Sequence, residues 1–254
     1  MQGPLDIYKN LPRTNCGRCP QKTCMAYAAA FLRGEAKVDD CPILTDEARH
    51  ELSKVTPTDW RLKLIEQLKE EIAGIDLQEI ASGIGAEVVD NAIRIRCLGM
   101  DYLIDNRGEI RTEVHINPWI KILLLHYVRT AGRARPAGQW VSFSELKSGM
   151  VKAKSFSRDC EEPLGELFQR DESSVEAALV RMGARRIDFE TADLAYHFHP
   201  LPAIPTLILY RRQEGSLKVL FDRVTDRYLD VESIVFLFEG LVHLLTNILS
   251  GHRR

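Results

Sequence analysis

Four of the six cysteines in this 254-residue chain fall within 26 residues, at Cys16, Cys19, Cys24 and Cys41. The other two, Cys97 and Cys160, stand alone far downstream. The crowded spacing, Cys-x2-Cys-x4-Cys-x16-Cys, splits the chain into a small front module and a larger body. In a reducing compartment such crowding serves metal or redox chemistry before disulfides. Four thiolates are the soft, charge-neutralising ligands that an iron–sulfur cube or a tetrahedral zinc requires. Zinc sites usually pair two separated Cys-x2-Cys knuckles, whereas the second half here is Cys-x16-Cys; the spacing by itself leaves both groups open.

The residues between the cysteines suit a compact ligand loop. In NCGRCPQKTC, Gly17 and Pro20 favour turns that bring backbone N–H groups near sulfur. Thr23 is placed to cap a helix beginning at Cys24, and Ala26 and Ala28 to Ala30 allow close packing against a bulky group. Gly34 stops that helix, and Cys41 is followed by Pro42, as the last cysteine is in bacterial ferredoxins. The expected division is a module over residues 1–45, a linking helical segment over 46–75 and a larger domain over 76–254.

The body reads as α+β, with antiparallel hairpins and a long C-terminal helix. A helix over Thr58 to Ala73 puts Leu62, Ile65, Leu68 and Ile72 on one face and Gly74 at its end, and Asp76 with Glu79 opens a short following helix. Strands are expected at Ala92 to Leu98, Tyr102 to Asp105 and Glu109 to Val114, the last two joined by an Asn106–Arg107–Gly108 turn. Asn117–Pro118 opens an apolar helix that stops at the loop AGRARPAG. Short helices over Glu162 to Gln169 and Ser174 to Met182 precede strands at Arg186 to Phe189, Leu194 to His199, Thr206 to Arg212 and Leu217 to Asp222. Asp230 caps the final helix. Hairpin order between helices argues against a wound parallel sheet.

Composition and charge exclude several classes. A net charge of −2 gives no reason to expect a nucleic-acid footprint or a polybasic membrane patch. MQGPLDIYKN lacks the apolar run of a secretory signal, so a cytoplasmic location is expected. Val231 to Leu249 is about long enough to span a bilayer. Glu232, Glu239, His243 and Thr246 form only a narrow polar edge on it, so the helix is expected deep in a protein core and no membrane span is expected.

Other chemistry-bearing residues carry weaker signals. His197 and His199 share one face of a strand, a geometry suited to a metal or a corrinoid cobalt ligand, or to a plain solvated pair. Cys97 aligns with Ile93 and Ile95 and reads as a buried thiol. Cys160 starts a helix, but Asp159, Glu161 and Glu162 would raise its pKa. Arg129, Arg133 and Arg135 mark a basic loop, read as solubilising before anion-binding. No Gly-x-Gly-x-x-Gly follows a strand, Ser82–Gly83–Ile84–Gly85 precedes one, and neither a phosphate loop nor a Ser/His/Asp arrangement is visible. No catalytic residue and no small-molecule ligand of residues 76–254 can be assigned.

LPRTNCGRCPQKTCMAYAAAFLRGEAKVDDCP resembles the small 4Fe–4S module of the corrinoid iron–sulfur protein large subunit and of the B subunit of Rnf-type electron-transport complexes. The shared residues are Leu11–Pro12, Thr14–Asn15–Cys16–Gly17, Cys19, Thr23–Cys24, Ala26, Ala28, Gly34 and Cys41–Pro42. The resemblance implies that Cys16, Cys19, Cys24 and Cys41 hold one 4Fe–4S cluster; Pro20 departs from the glycine usual there. The stretches QWVSFSEL, LPAIPTLILY and VLFDRVTDRYL are similar to a domain of unknown function that follows this module in anaerobe iron–sulfur proteins. That likeness names an architecture, not a reaction. The resemblance of the module implies a one-electron transfer protein serving a redox partner, such as a corrinoid protein whose inactive cobalt needs reduction. A redox-sensing regulatory binding protein, or an enzyme whose body is fed electrons by the cluster, are the alternatives. Arg13, Arg18 and Lys22 crowd the loop, where they would favour the reduced state and steer an acidic partner, or form an ordinary solvated surface.

Overall fold

A computed structural model describes residues 4–55, 60–114, 116–130 and 134–251. The chain forms two compact units, Met1–Gln67 and Leu68–Arg254.

The first unit is helical. Helices α1 (Pro4–Lys9), α2 (Cys24–Leu32) and α3 (Asp46–Ser53) are joined by loops and a 3-10 turn at Val38–Asp40, and α4 (Trp60–Ile72) begins within the unit. The caps explain the boundaries. Thr23 Oγ1 accepts from the Ala26 amide at 3.0 Å, as the sequence predicts, and Thr45 Oγ1 accepts from Ala48 at 3.2 Å. Gly34 ends α2, with the Glu35 amide donating back to the Ala30 carbonyl at 2.9 Å. Ile7 from α1, Tyr27, Ala28, Ala30 and Phe31 from α2, and Leu52 from α3 form one buried cluster with Leu11, Ala36, Cys41 and Leu44. The expected start of α4 at Thr58 lies outside the described residues. Of its apolar face, Ile65, Leu68 and Ile72 are buried, whereas Leu62 is 56% exposed.

The second unit is α+β with two antiparallel sheets. Asp76 Oδ1 accepts from the Gln78 and Glu79 amides and starts α5 (Leu77–Ala81). The first sheet is a meander, β1 (Glu87–Val89), β2 (Ala92–Cys97), β3 (Met100–Asp105) and β4 (Ile110–Arg111), in that order. Asp105 Oδ1 accepts from the Arg107 and Glu109 amides and shapes the β3–β4 turn. The expected strand from Glu109 to Val114 is shorter, ending at Arg111, and just beyond it the Thr112 hydroxyl donates to the Asp101 carbonyl at 3.0 Å. Asn117 caps α6 (Pro118–Arg129) as expected, and Ile122, Leu123, Leu124, Leu125, Tyr127 and Val128 are its buried residues.

The second sheet has the order β5-β9-β8-β7-β6. Its strands are β5 (Trp140–Ser142), β6 (Arg185–Ile187), β7 (Leu194–Leu201), β8 (Ile204–Arg211) and β9 (Ser216–Asp222). Central β8 is buried on both faces except at Arg211, which is why IPTLILY reads as a continuous apolar run rather than an alternation. Between β5 and β6 run α7 (Gly149–Phe156), a π turn at Ser157–Glu161 and α8 (Glu162–Arg181). The two short helices expected here are merged in α8, but Asp171 breaks the helical path with extended backbone (φ −158°, ψ 79°) and caps the second half through the Ser174 amide at 3.0 Å.

Asp230 caps α9 (Val231–Leu249) by accepting from the Ser233 amide at 2.7 Å. The expectation that α9 lies deep in the core is corrected. One face, with Ile234, Val235, Leu237, Phe238, Leu241 and Leu245, is buried, while Phe236, Val242, Leu244 and Ile248 are half-buried. By length and composition α9 is apolar enough to cross a membrane, and 39% of that apolar stretch is buried in the protein.

Candidate metal centre

The loop from Leu11 to Cys24 is built from alternating left-handed residues. Arg13 (φ 60°), Asn15 (φ 47°) and Gly17 (φ 66°) turn the chain at every second position. These positive-φ positions fold the loop tightly, and the Arg18 amide donates to the Cys16 thiol. Gly17 takes the conformation at no steric cost, whereas Arg13 and Asn15 hold it through side-chain bonds. Arg13 Nη2 donates to the Lys9 carbonyl at 2.9 Å, and Asn15 Oδ1 accepts from the Cys24 amide at 2.8 Å. That second bond ties the loop to the N-terminus of α2, where Cys24 is the first helical residue.

The four cysteines of the motif come together. They line one small pocket, with Leu11, Tyr27 and Ile43 as its apolar wall and no carboxylate in its lining. Cys16 is exposed, Cys19 and Cys24 are half-buried, and Cys41 is buried. The Cys16 thiol is held below its ordinary pKa, first by the Arg18 amide donating to it and also by the Thr14 hydroxyl and the Arg18 charge. Cys41 is pushed up, first by burial and then by charge on the other three cysteines, the electrostatic sign that the four share one site. Arg49 fixes the fourth position, with Nη2 donating to the Cys41 carbonyl at 3.2 Å and Nη1 paired with Asp39 at 3.0 Å. Tyr27 closes the wall, and its hydroxyl donates to the Lys37 carbonyl at 2.8 Å.

Among the described residues, no three His, Cys, Asp or Glu side chains converge on one ion-sized position. The donor set, four thiols lining one pocket with the Arg18 amide donating to Cys16, fits a sulfur-ligated group. Pro20 withholds one amide from that loop but displaces none of the four sulfurs from the cavity lining.

The weaker candidates separate from this site. His197 and His199 share a face as expected, with ring centroids 4.8 Å apart. His197 Nδ1 lies 3.4 Å from Arg185 Nη2, while His199 Nδ1 lies 2.9 Å from the Pro202 carbonyl. Cys97 is fully buried, as its strand face implies. Cys160 does not start a helix: it lies inside the π turn, fully buried, with burial first and the Glu239 charge second pushing its thiol up. Arg129 is the last residue of α6 and pairs with Glu71 at 3.2 Å, Arg135 is exposed, and Arg133 lies outside the described residues. Gly85 serves packing: an added Cβ would stand 2.6 Å from the Pro202 Cβ.

Sequence reasoning missed Asn15 and Tyr27 as site-builders. Their signal was position, Asn15 directly before the first cysteine and Tyr27 three residues after the third. Arg49 gave no local signal. Folding also brings His126 Nδ1 within 3.3 Å of Ser233 Oγ and 3.7 Å of Asp230 Oδ2. Both partners address the same nitrogen and Ser233 is buried, so this is not the relay geometry of a nucleophilic triad.

Residues 11–43 match the family model described as "Putative Fe-S cluster", and residues 76–244 match that of the domain of unknown function DUF3786. The chain is 29% identical over 126 residues to the acetyl-CoA decarbonylase/synthase complex subunit gamma of Methanothermobacter thermautotrophicus, covering 50% of this chain and 26% of that one. It is 48% identical over 48 residues to the corrinoid/iron–sulfur protein large subunit of Moorella thermoacetica, covering 19% of this chain and 11% of that one. The corresponding gamma subunit of Methanopyrus kandleri is 45% identical over 51 residues, covering 20% and 11%. The chain thus spans about a quarter or less of these relatives. No solved structure matches it. With the match to the second model extending over most of its length and the iron–sulfur pattern at its front, the chain belongs to the DUF3786 family.

Proposed function

We propose that this is a one-electron transfer protein in which Cys16, Cys19, Cys24 and Cys41 hold one 4Fe–4S cluster. The observation that carries the reading is the lining of a single cavity by all four cysteines of the motif. When bound, a cluster of this type supplies reversible uptake of one electron, at a potential set by charge, N–H···S bonding and exposure. The protein's own part is to supply the four thiolates, the Arg18 amide that donates to Cys16 and the apolar wall of Leu11 and Tyr27 that limits water. Arg18, beside the most exposed ligand, favours additional negative charge there.

The relatives named as corrinoid/iron–sulfur and acetyl-CoA decarbonylase/synthase subunits support a role in anaerobic one-carbon metabolism, with a corrinoid protein as the electron-accepting partner. Six free thiols suit the reducing cytoplasm, where we place the protein. Anaerobic purification, iron and zinc analysis, and EPR before and after dithionite test the reading. About four irons per chain with a signal appearing on reduction is the expected result. One zinc without iron would replace the cluster by a structural knuckle.

A further inference from the structure

The exposure of the four cysteines and the charge of the module are graded in the same direction. Cys16 is exposed, and Cys41 retains 6% of its surface. From Leu11 to Leu32 the chain carries Arg13, Arg18 and Lys22 and no Asp or Glu. The acids gather at the other end, with Asp39 and Asp40 directly before Cys41 and Asp46 and Glu47 soon after.

Local pairing sharpens this gradient. Glu35 is held by Arg33 at 2.8 Å, Asp39 by Arg49 at 3.0 Å, and Asp40 is turned back onto the Lys37 amide at 2.7 Å. Arg13 is pinned beside the loop, its guanidinium 6.0 Å from the Tyr8 ring centroid. Arg18 and Lys22 are exposed and have no ion-pair partner among the described residues. Met25, next to Cys24, adds an apolar contact at 37% exposure. An exposed ligand in a loop that carries two unpaired cations, with an exposed apolar side chain next to the third ligand, is complementary to an acidic protein surface and steers its approach.

We infer that the loop around Cys16 is the docking surface for an acidic one-electron redox protein. The inference rests on the cluster reading above and adds the entry point of the electron and the charge of its donor, a protein distinct from the corrinoid acceptor. In the exchange one electron leaves the partner's reduced centre and is taken up at the four-cysteine site; no bond forms or breaks and no proton moves.

The test uses the iron-replete full chain with two probes, an acidic 2Fe–2S ferredoxin and a basic mono-haem cytochrome. Binding is measured by titration calorimetry at about 20 mM and about 500 mM salt, where screening differs several-fold. The ferredoxin is expected to bind the native chain at low salt. Arg18→Glu with Lys22→Glu is expected to weaken it on the order of tenfold, and the difference should vanish at high salt. The cytochrome should show the reverse order, and Lys154→Glu, an exposed cation of the second unit, should change neither. Lys22→Glu alone repeats the comparison if the double variant loses iron. Unchanged ferredoxin affinity at equal iron content, or a native preference for the cytochrome, overturns the docking surface and leaves the cluster reading standing. A chain that holds no iron overturns both.

Discussion

The two units of this protein are built on opposite principles. The second fills its own centre: Phe156 stacks on Phe143 at 4.3 Å and meets Phe221 and Phe238 edge-on at 5.7 and 5.6 Å. Four rings from separate elements interlock, and nothing but side chains is needed to exclude water. The first unit packs small residues, Ala28, Ala30 and Ala36, beside a few large ones and leaves a cavity ringed by thiols. On the proposed cluster reading, a short segment with so modest a core gains its order from ligation, whereas the second unit gains its own from burial.

The sharpest way to break this contrast is Cys24→Ser. It should remove most of the iron and release the first unit from its folded state, since metal-site binding contributes on the order of 10 kcal/mol to folding. The second unit should keep its structure. Iron content and amide exchange read by mass spectrometry check both halves, and native protection in the first unit without iron would show that its packing suffices.

The converse is Phe156→Ala. Removing the central ring should cost the second unit about 3–5 kcal/mol, seen as a lower urea midpoint, while iron per chain is unchanged. Iron loss in this variant would mean that the two units share their stability.

How far each unit could be read in advance follows the range of the interactions that define it. Asn117–Pro118, Thr23, Asp76 and Asp230 announce their helices because each cap bonds an amide two or three residues ahead. The apolar run of β8 and the turn at Asp105 are local in the same sense. The four cysteines were legible as a set because their spacing already confines them to one loop and its return. By contrast α1 and α3 are only six and eight residues long, too short for a periodic pattern. The helix α7 starts after Ser148 in a left-handed conformation with no side-chain cap, so nothing in its sequence marks the boundary. Cys160 was misplaced for a related reason: the π turn that buries it joins two helices into one path that no local signal separates. Arg49 reaches Cys41 across eight residues and could be found only in three dimensions.

The smallest effect separates the two kinds of cysteine. Cys97 is wholly enclosed by the second unit, and burial lifts its thiol from 9.0 to about 12. Below pH 9 the thiol is protonated whether the chain is folded or not, and it contributes no pH dependence. Between pH 9 and 12 the unfolded chain sheds a proton that the folded one keeps, so stability falls as pH rises. Relative to Cys97→Ala, the native chain should lose about 1.4 kcal/mol between pH 8 and pH 10, read from urea midpoints at each pH. Cys160 is present in both proteins and cancels. Iron content should not respond to this substitution, because Cys97 lies on a strand of the second unit and the ligand loop on the first. A pH-independent difference would mean that the Cys97 thiol ionises as freely when folded as when unfolded, and would remove it from the core that distinguishes the second unit from the first.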